Sequence, residues 1–238
     1  MANFFSSFMP SKLNNSILLY HSITNEFENS IFSVKKENFE SQLKILKNLK
    51  KQNLMNISDN LKNELSITLS FDDGFANNYL NAYQLINKYS IPSIFFISTV
   101  NIGKKGYLTK EMIKEMDRDS IIDFGLHGHN HFSFKNLTYH ELKNEMTTSI
   151  DILQNLLGRK INNFSYPYGS LNKVTKLYIK SFSFNCFDST SSTFNIKNYD
   201  KLQIPRVSIW NIDNQKSFIN KINGKWDLLN KLQKNNAN

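Results

Sequence analysis

Cysteine and long apolar runs are scarce in this sequence, which narrows the classes of protein it can encode. A single cysteine, Cys186, excludes an intrachain disulfide framework and a zinc site built from paired cysteines. The longest apolar stretch, 91–100, is interrupted by proline, serine and threonine and is far shorter than the ~20 residues that span a membrane. We therefore expect no transmembrane segment. With 238 residues, 40% of them hydrophobic, the chain can bury a core without disulfides.

Arginine is also scarce, because only three of the 29 basic residues are arginine. The net charge of +9 is compatible with nucleic-acid binding. The lysines are dispersed, however, and they accompany 34 asparagines, so the basic excess is a property of the whole composition. We expect no nucleic-acid partner, although the charge would favour an acidic partner such as a phosphate-bearing sugar. Composition leaves the oligomeric state open.

The chain reads as one domain over 1–238, because no internal repeat or low-complexity linker divides it. The segment 1–16 lacks the apolar core of a signal peptide, which predicts a cytoplasmic protein. Short apolar runs alternate with helical patterns, and this alternation predicts a parallel sheet or a barrel with helices outside. Strands are predicted at 17–20, 67–71, 94–97, 121–124, 164–166 and 184–187, and helices at 34–49, 75–86, 109–118, 138–157 and 171–179.

Two adjacent carboxylates follow the strand predicted at 67–71. Asp72 and Asp73 precede Gly74, and an Asp-Gly pair alone is typical of a tight hairpin turn. A strand-to-helix junction is expected here, however, and adjacent acids repel each other unless a cation lies beside them. In parallel α/β folds, moreover, chemistry collects at the carboxyl ends of the strands. The pair is therefore a candidate for catalysis or cation binding.

Three of the five histidines follow the strand predicted at 121–124. His127 and His131 are four residues apart, so one helical turn would direct both imidazoles at the same point. Neutral imidazole is the commonest metal ligand in mixed nitrogen and oxygen sites. The spacing therefore predicts a metal site, with a histidine-rich surface loop as the alternative. With helical spacing, His129 points away and is not expected to bind the metal.

A third cluster, Tyr-Pro-Tyr-Gly at 166–169, would alone indicate only a turn after a strand. Its significance comes from the other two clusters. Ser-Phe-Asp-Asp-Gly (70–74), His-x-x-x-His (127–131) and Tyr-Pro-Tyr-Gly resemble, in order, the first three motifs of the polysaccharide deacetylases, the NodB-homology enzymes of carbohydrate esterase family 4. The resemblance covers about 17–207. Leu-Tyr-His-Ser-Ile (19–23) and the pattern at 32–43 resemble the branch that deacetylates poly-N-acetylglucosamine.

This resemblance implies a distorted (β/α)7 barrel with one divalent metal. Zinc is the first choice for that metal, with cobalt, nickel, manganese or iron as alternatives. Matched by motif position, the implied metal ligands are Asp73, His127 and His131. The ligands leave open positions at which the metal could polarise an acyl carbonyl and acidify water.

The resemblance also implies the catalytic groups. Asp72 is expected to be the general base and His21, after the first strand, the general acid. Tyr168 is expected to offer its backbone N–H to the oxyanion. A general acid from this early strand fits the absence of the late Leu-x-His motif that many relatives use.

The sequence departs from the family pattern in two places. Gly128 stands where many relatives have a serine or threonine, and Ser165 stands where many have an arginine that partners the base. Arg206 could replace that guanidinium from a later strand, or it could form an ordinary surface salt bridge. No role follows from the sequence for Asp188, another acid after a strand.

The function predicted is removal of an N-acyl group, acetyl or formyl, from an amino sugar or its nucleotide- or lipid-linked form. Two alternatives remain open: an amide hydrolase with a substrate other than a sugar, and a carbohydrate-binding module without catalysis. The complete acid and histidine set disfavours the second. Aromatic residues that could stack on a sugar are Tyr107, Tyr168, Trp210 and Trp226.

Overall fold

The computed structural model describes residues 14–26, 28–49, 53–189 and 192–227. Its strands are β1 (Ser16–Tyr20), β2 (Ser22–Thr24), β3 (Ser33–Lys35), β4 (Asn53–Leu54), β5 (Ser66–Phe71), β6 (Ser93–Ile97), β7 (Ile122–Leu126), β8 (Asn163–Ser165), β9 (Asn185–Phe187) and β10 (Val207–Ser208). Its α-helices are α1 (Lys36–Lys47), α2 (Ile57–Asn60), α3 (Gln84–Tyr89), α4 (Lys110–Met116), α5 (Tyr139–Leu157), α6 (Lys173–Lys180) and α7 (Gln215–Ile222).

The main sheet is parallel throughout, in the order β10-β1-β5-β6-β7-β8-β9, with β4 against β5. The segment 204–208 joins its two ends, because Ile204 bridges Phe187 of β9 while Val207 pairs with Leu18 of β1. The sheet therefore closes into a distorted barrel, which confirms the predicted fold class. Strands β2 and β3, which follow β1 in the sequence, form a separate parallel pair.

The barrel strands are buried on both faces, as expected of parallel strands covered by helices. In β1, β6 and β9, successive residues belong to two different apolar clusters. The larger cluster, which includes Leu69 and Phe95, contains the apolar faces of the helices. The smaller one contains Ile17, Phe96 and Phe187 from three different strands. Its members alternate with those of the larger cluster along the strands, so it fills the inside of the barrel.

The helix signals in the sequence were mostly correct. The capping box of Thr138 and Glu141 begins α5, and Gly158 ends it in a left-handed conformation. Three helix starts were wrong, among them that of α6, which begins at Lys173 rather than at 171. Val34 lies in β3, so α1 begins at Lys36. Phe75 lies outside any helix, and the following segment is a π-helix at 78–83 before α3.

Among the described residues, no helix is long and apolar enough to cross a membrane. Most of the segment used to predict a cytoplasmic location, 1–13, lies outside the described residues. That location and the single-domain boundaries therefore stay predictions. Cys186 is buried in β9, in agreement with a packing role.

Candidate active site

The predicted acids leave β5 through an unusual turn. Asp73 and Gly74 both have positive φ, 72° and 77°, so the chain reverses its curvature directly after Asp72. A Cβ at position 74 would lie 3.1 Å from the Cδ1 atom of Ile97, which adds a steric reason for glycine. The turn leads to the π-helix, so the hairpin alternative is wrong. It also directs both carboxylates towards the end of the barrel.

Asp73, His127 and His131 converge on one point. The Oδ1 atom of Asp73 lies 3.0 Å from Nε2 of His131 and 3.4 Å from Nε2 of His127. The Nδ1 atom of His127 donates a hydrogen bond of 2.8 Å to the carbonyl of Ser165, so its Nε2 is the atom left for a ligand. The Nδ1 atom of His131 lies 3.2 Å from the hydroxyl of Tyr168.

The spacing of the two histidines suggested a helical turn, but their convergence does not come from a helix. Residues 127–131 form a loop in which Gly128 and His131 have positive φ, 72° and 60°. The left-handed residues turn the chain back so that both rings face Asp73. His129 lies outside the cluster, as expected, with its Nδ1 atom 2.9 Å from the hydroxyl of Thr99.

Asp72 is buried in a bidentate pair with Arg206. The Nη1 and Nη2 atoms of Arg206 donate to the two carboxylate oxygens of Asp72, both at 2.7 Å. Nη2 also donates to the hydroxyl of Ser165 at 2.8 Å, and that hydroxyl lies 3.2 Å from Oδ2 of Asp72. Arg206 is fully buried, so the alternative of a surface salt bridge is wrong. A guanidinium thus lies beside Asp72 although position 165 lacks an arginine, and Arg206 directly precedes β10 rather than following a strand.

Three further contacts hold the guanidinium of Arg206 in place. Its Nη1 atom also donates to the hydroxyl of Ser70 at 3.3 Å. Its Nε atom donates to the backbone carbonyl of Asp188 at 2.9 Å, and its plane lies over the ring of Phe96, 5.3 Å from the centroid. Asp188, which had no role from the sequence, therefore orients Arg206 through its main chain. Its side chain is buried.

The charges in the site shift the pKa values of its acids and of His127. Burial alone would raise the pKa of Asp72, but the guanidinium of Arg206, together with His127 and His21, outweighs it and holds that pKa below its usual value. Burial is likewise outweighed at Asp73, where His127 and His131 lower the pKa. At His127, burial opposes the charged ring, but Asp72 and Asp73 prevail and raise its pKa. Both carboxylates are therefore ionised at neutral pH.

His21 lies between β1 and β2, at the same end of the barrel. Its ring packs against Phe32, with 4.8 Å between the ring centroids. Burial lowers the pKa of His21, while Asp72 and Asp73 oppose this shift. Both carboxylates thus act electrostatically on the imidazole, which puts His21 in the neighbourhood of the acid and histidine cluster.

The aromatic residues proposed as a sugar platform differ in exposure and partners. Tyr168 is 70% exposed, and its ring packs against His131 with 4.6 Å between centroids. Tyr107 stacks on Phe75 instead. The rings of Trp210 and Trp226 both face the ammonium of Lys221, which forms a buried ion pair with Asp213.

Sequence reasoning missed two residues that hold the site. Asn78 in the π-helix donates from Nδ2 to the carbonyl of His21 at 2.7 Å. Glu145 in α5 accepts hydrogen bonds from the backbone of the histidine loop. An asparagine among 34 gives no signal, and Glu145 is one of several acids on a helix. The signals available were a polar residue at a buried helix position and the unusual π-helix, which often marks functional sites.

The residues present fit a divalent metal. The Oδ1 atom of Asp73 is buried and has no hydrogen-bond partner among the described residues, although two imidazole Nε2 atoms face it. Because Nδ1 of His127 carries the proton, a neutral ring would present a lone pair to that oxygen, and a metal ion between the two atoms relieves the repulsion as a second proton on the ring would. Two imidazoles and one carboxylate suit zinc and several other transition metals.

Comparisons with known proteins agree with this fold and cluster. A family model described as polysaccharide deacetylase matches residues 59–187. YxkH of Bacillus subtilis (strain 168), named for that family, is 34% identical over 173 residues, which are 70% of this chain and 60% of YxkH. Poly-beta-1,6-N-acetyl-D-glucosamine N-deacetylase of Staphylococcus aureus (strain MSSA476) is 28% identical over 82% of this chain and 73% of its own length. The structure of Streptococcus pyogenes deacetylase PplD in complex with acetate gives a TM-score of 0.80 at 20% identity, covering 88% of this chain and 98% of that chain.

The structural likeness defines the class of fold, the distorted barrel of the NodB-type deacetylases. The family model covers more than half of the sequence and includes both acids and both histidines of the site. The chain belongs to the polysaccharide deacetylase family. It spans 60% of the length of YxkH, so the activity of the whole of that protein does not carry over directly.

Proposed function

We propose that this protein is a metal-dependent N-deacetylase of an amino-sugar glycan. The proposal rests on one observation: a candidate metal-ligand cluster and an ionised carboxylate lie side by side at one end of the barrel. Asp73, His127 and His131 form a three-ligand cluster, and beside it Asp72 is held ionised by Arg206. Amide hydrolysis needs both, an electrophilic activator of the carbonyl and a base for the attacking water.

Poly-β-1,6-N-acetylglucosamine is the substrate class that we propose. It is the polymer named for the Staphylococcus aureus relative, which matches over most of both chains. The exposed rings of Tyr168 and Phe32 lie against His131 and His21 respectively and offer apolar faces for a sugar ring. A nucleotide- or lipid-linked amino sugar is the substrate expected if the predicted cytoplasmic location holds.

Asp72 is the proposed general base. Its lowered pKa keeps it ionised, and the bidentate guanidinium fixes the carboxylate in one orientation. A metal held by Asp73, His127 and His131 would polarise the acyl carbonyl and lower the pKa of a water molecule. Asp72 would accept a proton from that water, and the backbone N–H of Tyr168 is proposed to donate to the oxyanion of the substrate.

His21 is the proposed general acid for the departing amine. Its lowered pKa leaves the resting ring neutral at pH 7, so it must take up a proton before it can donate one. The two carboxylates that oppose this lowering favour the protonated ring. The contact with Phe32 holds the imidazole in place from the other side.

Two variants test the assignment, with His140→Ala as a matched control on the exposed first turn of α5. His127→Ala is expected to lower bound zinc strongly, because two remaining ligands form a poor site. Asp72→Asn is expected to keep the metal and lose about 10²–10⁴ in the rate of acetate release, the usual contribution of a general base. Elemental analysis and acetate release from β-1,6-linked N-acetylglucosamine oligomers measure the two effects.

Undiminished metal in His127→Ala contradicts the ligand assignment. Loss of metal in Asp72→Asn makes Asp72 a ligand and reverses the roles of the two acids. Release of acetate or formate from UDP-linked amino sugars, but not from the oligomers, moves the substrate to the nucleotide-linked class. If only amides that contain no sugar are hydrolysed, the protein is instead an amide hydrolase with a substrate other than a sugar.

A further inference from the structure

The loop that carries both candidate histidine ligands is built around one buried carboxylate, that of Glu145 in α5. Oε2 of Glu145 accepts hydrogen bonds from the backbone N–H groups of His129 and Asn130, both at 2.9 Å. Oε1 accepts a third from the side-chain Nδ2 of Asn130 at 2.6 Å. Glu145 itself is 4% exposed. Two consecutive backbone donors aimed at one oxygen fix the curvature of the chain between His127 and His131.

The opposite side of the same loop is anchored to the segment after β6. The carbonyl of Gly128 accepts from the N–H of Thr99 at 3.2 Å, and the carbonyl of His129 accepts from the N–H of Val100 at 3.1 Å. The loop is therefore clamped between a carboxylate that holds its N–H groups and a chain segment that holds its carbonyls. The first clamp comes from a side chain that substitution can remove.

Gly128 belongs to the same arrangement. A Cβ at this position would lie 3.2 Å from Oε2 of Glu145 and 3.2 Å from the ring of Phe134. The positive φ of 72° further disfavours any other residue. The glycine that departs from the family pattern thus leaves the space in which the Glu145 carboxylate reaches the loop.

We infer that Glu145 is a positioning residue that sets the geometry of the His127 and His131 ligand pair and, through it, the affinity for the metal. The inference rests on the proposed metal site, and it adds a residue 14 positions beyond His131 that contacts no ligand atom. Without the carboxylate, the backbone N–H groups of His129 and Asn130 lose a buried, charge-assisted hydrogen-bond acceptor. The loop then relaxes, and the two Nε2 atoms no longer meet at Asp73.

Metal-free protein titrated with Zn²⁺ against a chromophoric chelator tests the inference, with Co²⁺ absorption as a second readout. Glu145→Met keeps length and helix propensity but removes both acceptors. It is expected to lower zinc affinity by about 10- to 100-fold, the range for partners that orient metal ligands. Glu145→Gln is expected to recover most of this, because the amide oxygen can accept both N–H groups and the Asn130 amide can turn over. Asp151→Met removes an exposed carboxylate from the same helix and should leave affinity unchanged.

Several results would overturn the inference. Zinc affinity in Glu145→Met equal to the wild type, or equally reduced in Glu145→Gln, shows that the acceptor does not set ligand geometry. A wild type that binds no metal contradicts the proposed function itself and the inference with it. If Glu145→Met does not fold, the exposed Asn130→Asp takes its place, since a second carboxylate beside Glu145 repels the loop. Unchanged zinc affinity in a folded Asn130→Asp then contradicts the inference.

Discussion

Replacing Arg206 by methionine should cost this protein a large part of its stability. The substitution keeps an unbranched side chain inside the barrel but removes the guanidinium that makes five hydrogen bonds, two of them to Asp72. The carboxylate of Asp72, which is 3% exposed, is then left without its bidentate partner. Breaking a buried ion pair from one side leaves an uncompensated charge, and this typically destabilises a protein by about 3–5 kcal/mol.

The stability lost in Arg206→Met should be larger at neutral pH than in acid. In the wild type the pKa of Asp72 lies below the value of 3.8 expected in the unfolded chain, so its contribution is complete above that pH and is lost as the pH falls through the folded value. In Arg206→Met, burial raises the pKa of Asp72 instead, and the fold is weakened most where the carboxylate is ionised. The deficit relative to the wild type should therefore be largest near pH 7 and shrink towards about pH 4.

Urea unfolding of metal-free protein, followed by circular dichroism, measures the deficit. Arg159→Met is the matched control, because Arg159 pairs with Asp117 and Asp123 but is 38% exposed, and its loss should cost less than about 1 kcal/mol. Adding Asp72→Asn to Arg206→Met should restore stability by removing the buried charge. A deficit no larger than that of Arg159→Met, or a double variant less stable than Arg206→Met, would refute this reasoning.

Three further substitutions test the surroundings of the site. His21→Ala should leave zinc affinity unchanged but abolish the alkaline limb of the pH–rate profile for acetate release; a retained limb removes His21 as the acid. Gly128→Ser, which restores the hydroxyl that many relatives have, should lower stability by about 1–2 kcal/mol in urea unfolding because its φ is positive, and should weaken zinc binding. Asn78→Leu removes the hydrogen bond to the His21 carbonyl and should lower kcat at least tenfold while zinc affinity stays constant; equal losses in both would mean a general defect in folding.

The fold was largely predictable because most of its strands are short apolar runs that lie between helical patterns in the sequence. Strand β5 and the capped helix α5 were both located within a residue or two. The pair β2 and β3 was not predicted, since each strand has only three residues and little periodicity. The π-helix was missed for a related reason, because its apolar pattern over 75–86 matches an ordinary helix.

The grouping of Asp73, His127 and His131 was predictable from the sequence, but the backbone that brings them together was not. The spacing of His127 and His131 indicated convergence, yet the helix assumed for it does not exist, because left-handed residues and Glu145 bend the chain instead. The scarcity of arginine drew attention to Arg206. Its contact with Asp72 depends on the closure of the barrel, a tertiary event that no local pattern encodes.

That closure makes the charge balance of the site depend on the order in which the chain is synthesised. Asp72 and Arg206 are separated by 134 positions, and Arg206 lies in the segment that joins the two ends of the sheet. A nascent chain that has only reached the end of β9 already contains the acids and both histidines, but not the guanidinium that neutralises Asp72 inside the barrel. Completion of the sheet and compensation of the buried carboxylate therefore coincide. A fragment limited to 59–187 would contain most of the recognisable motifs but would lack β1, which pairs with β5, and Arg206, the counter-ion of Asp72.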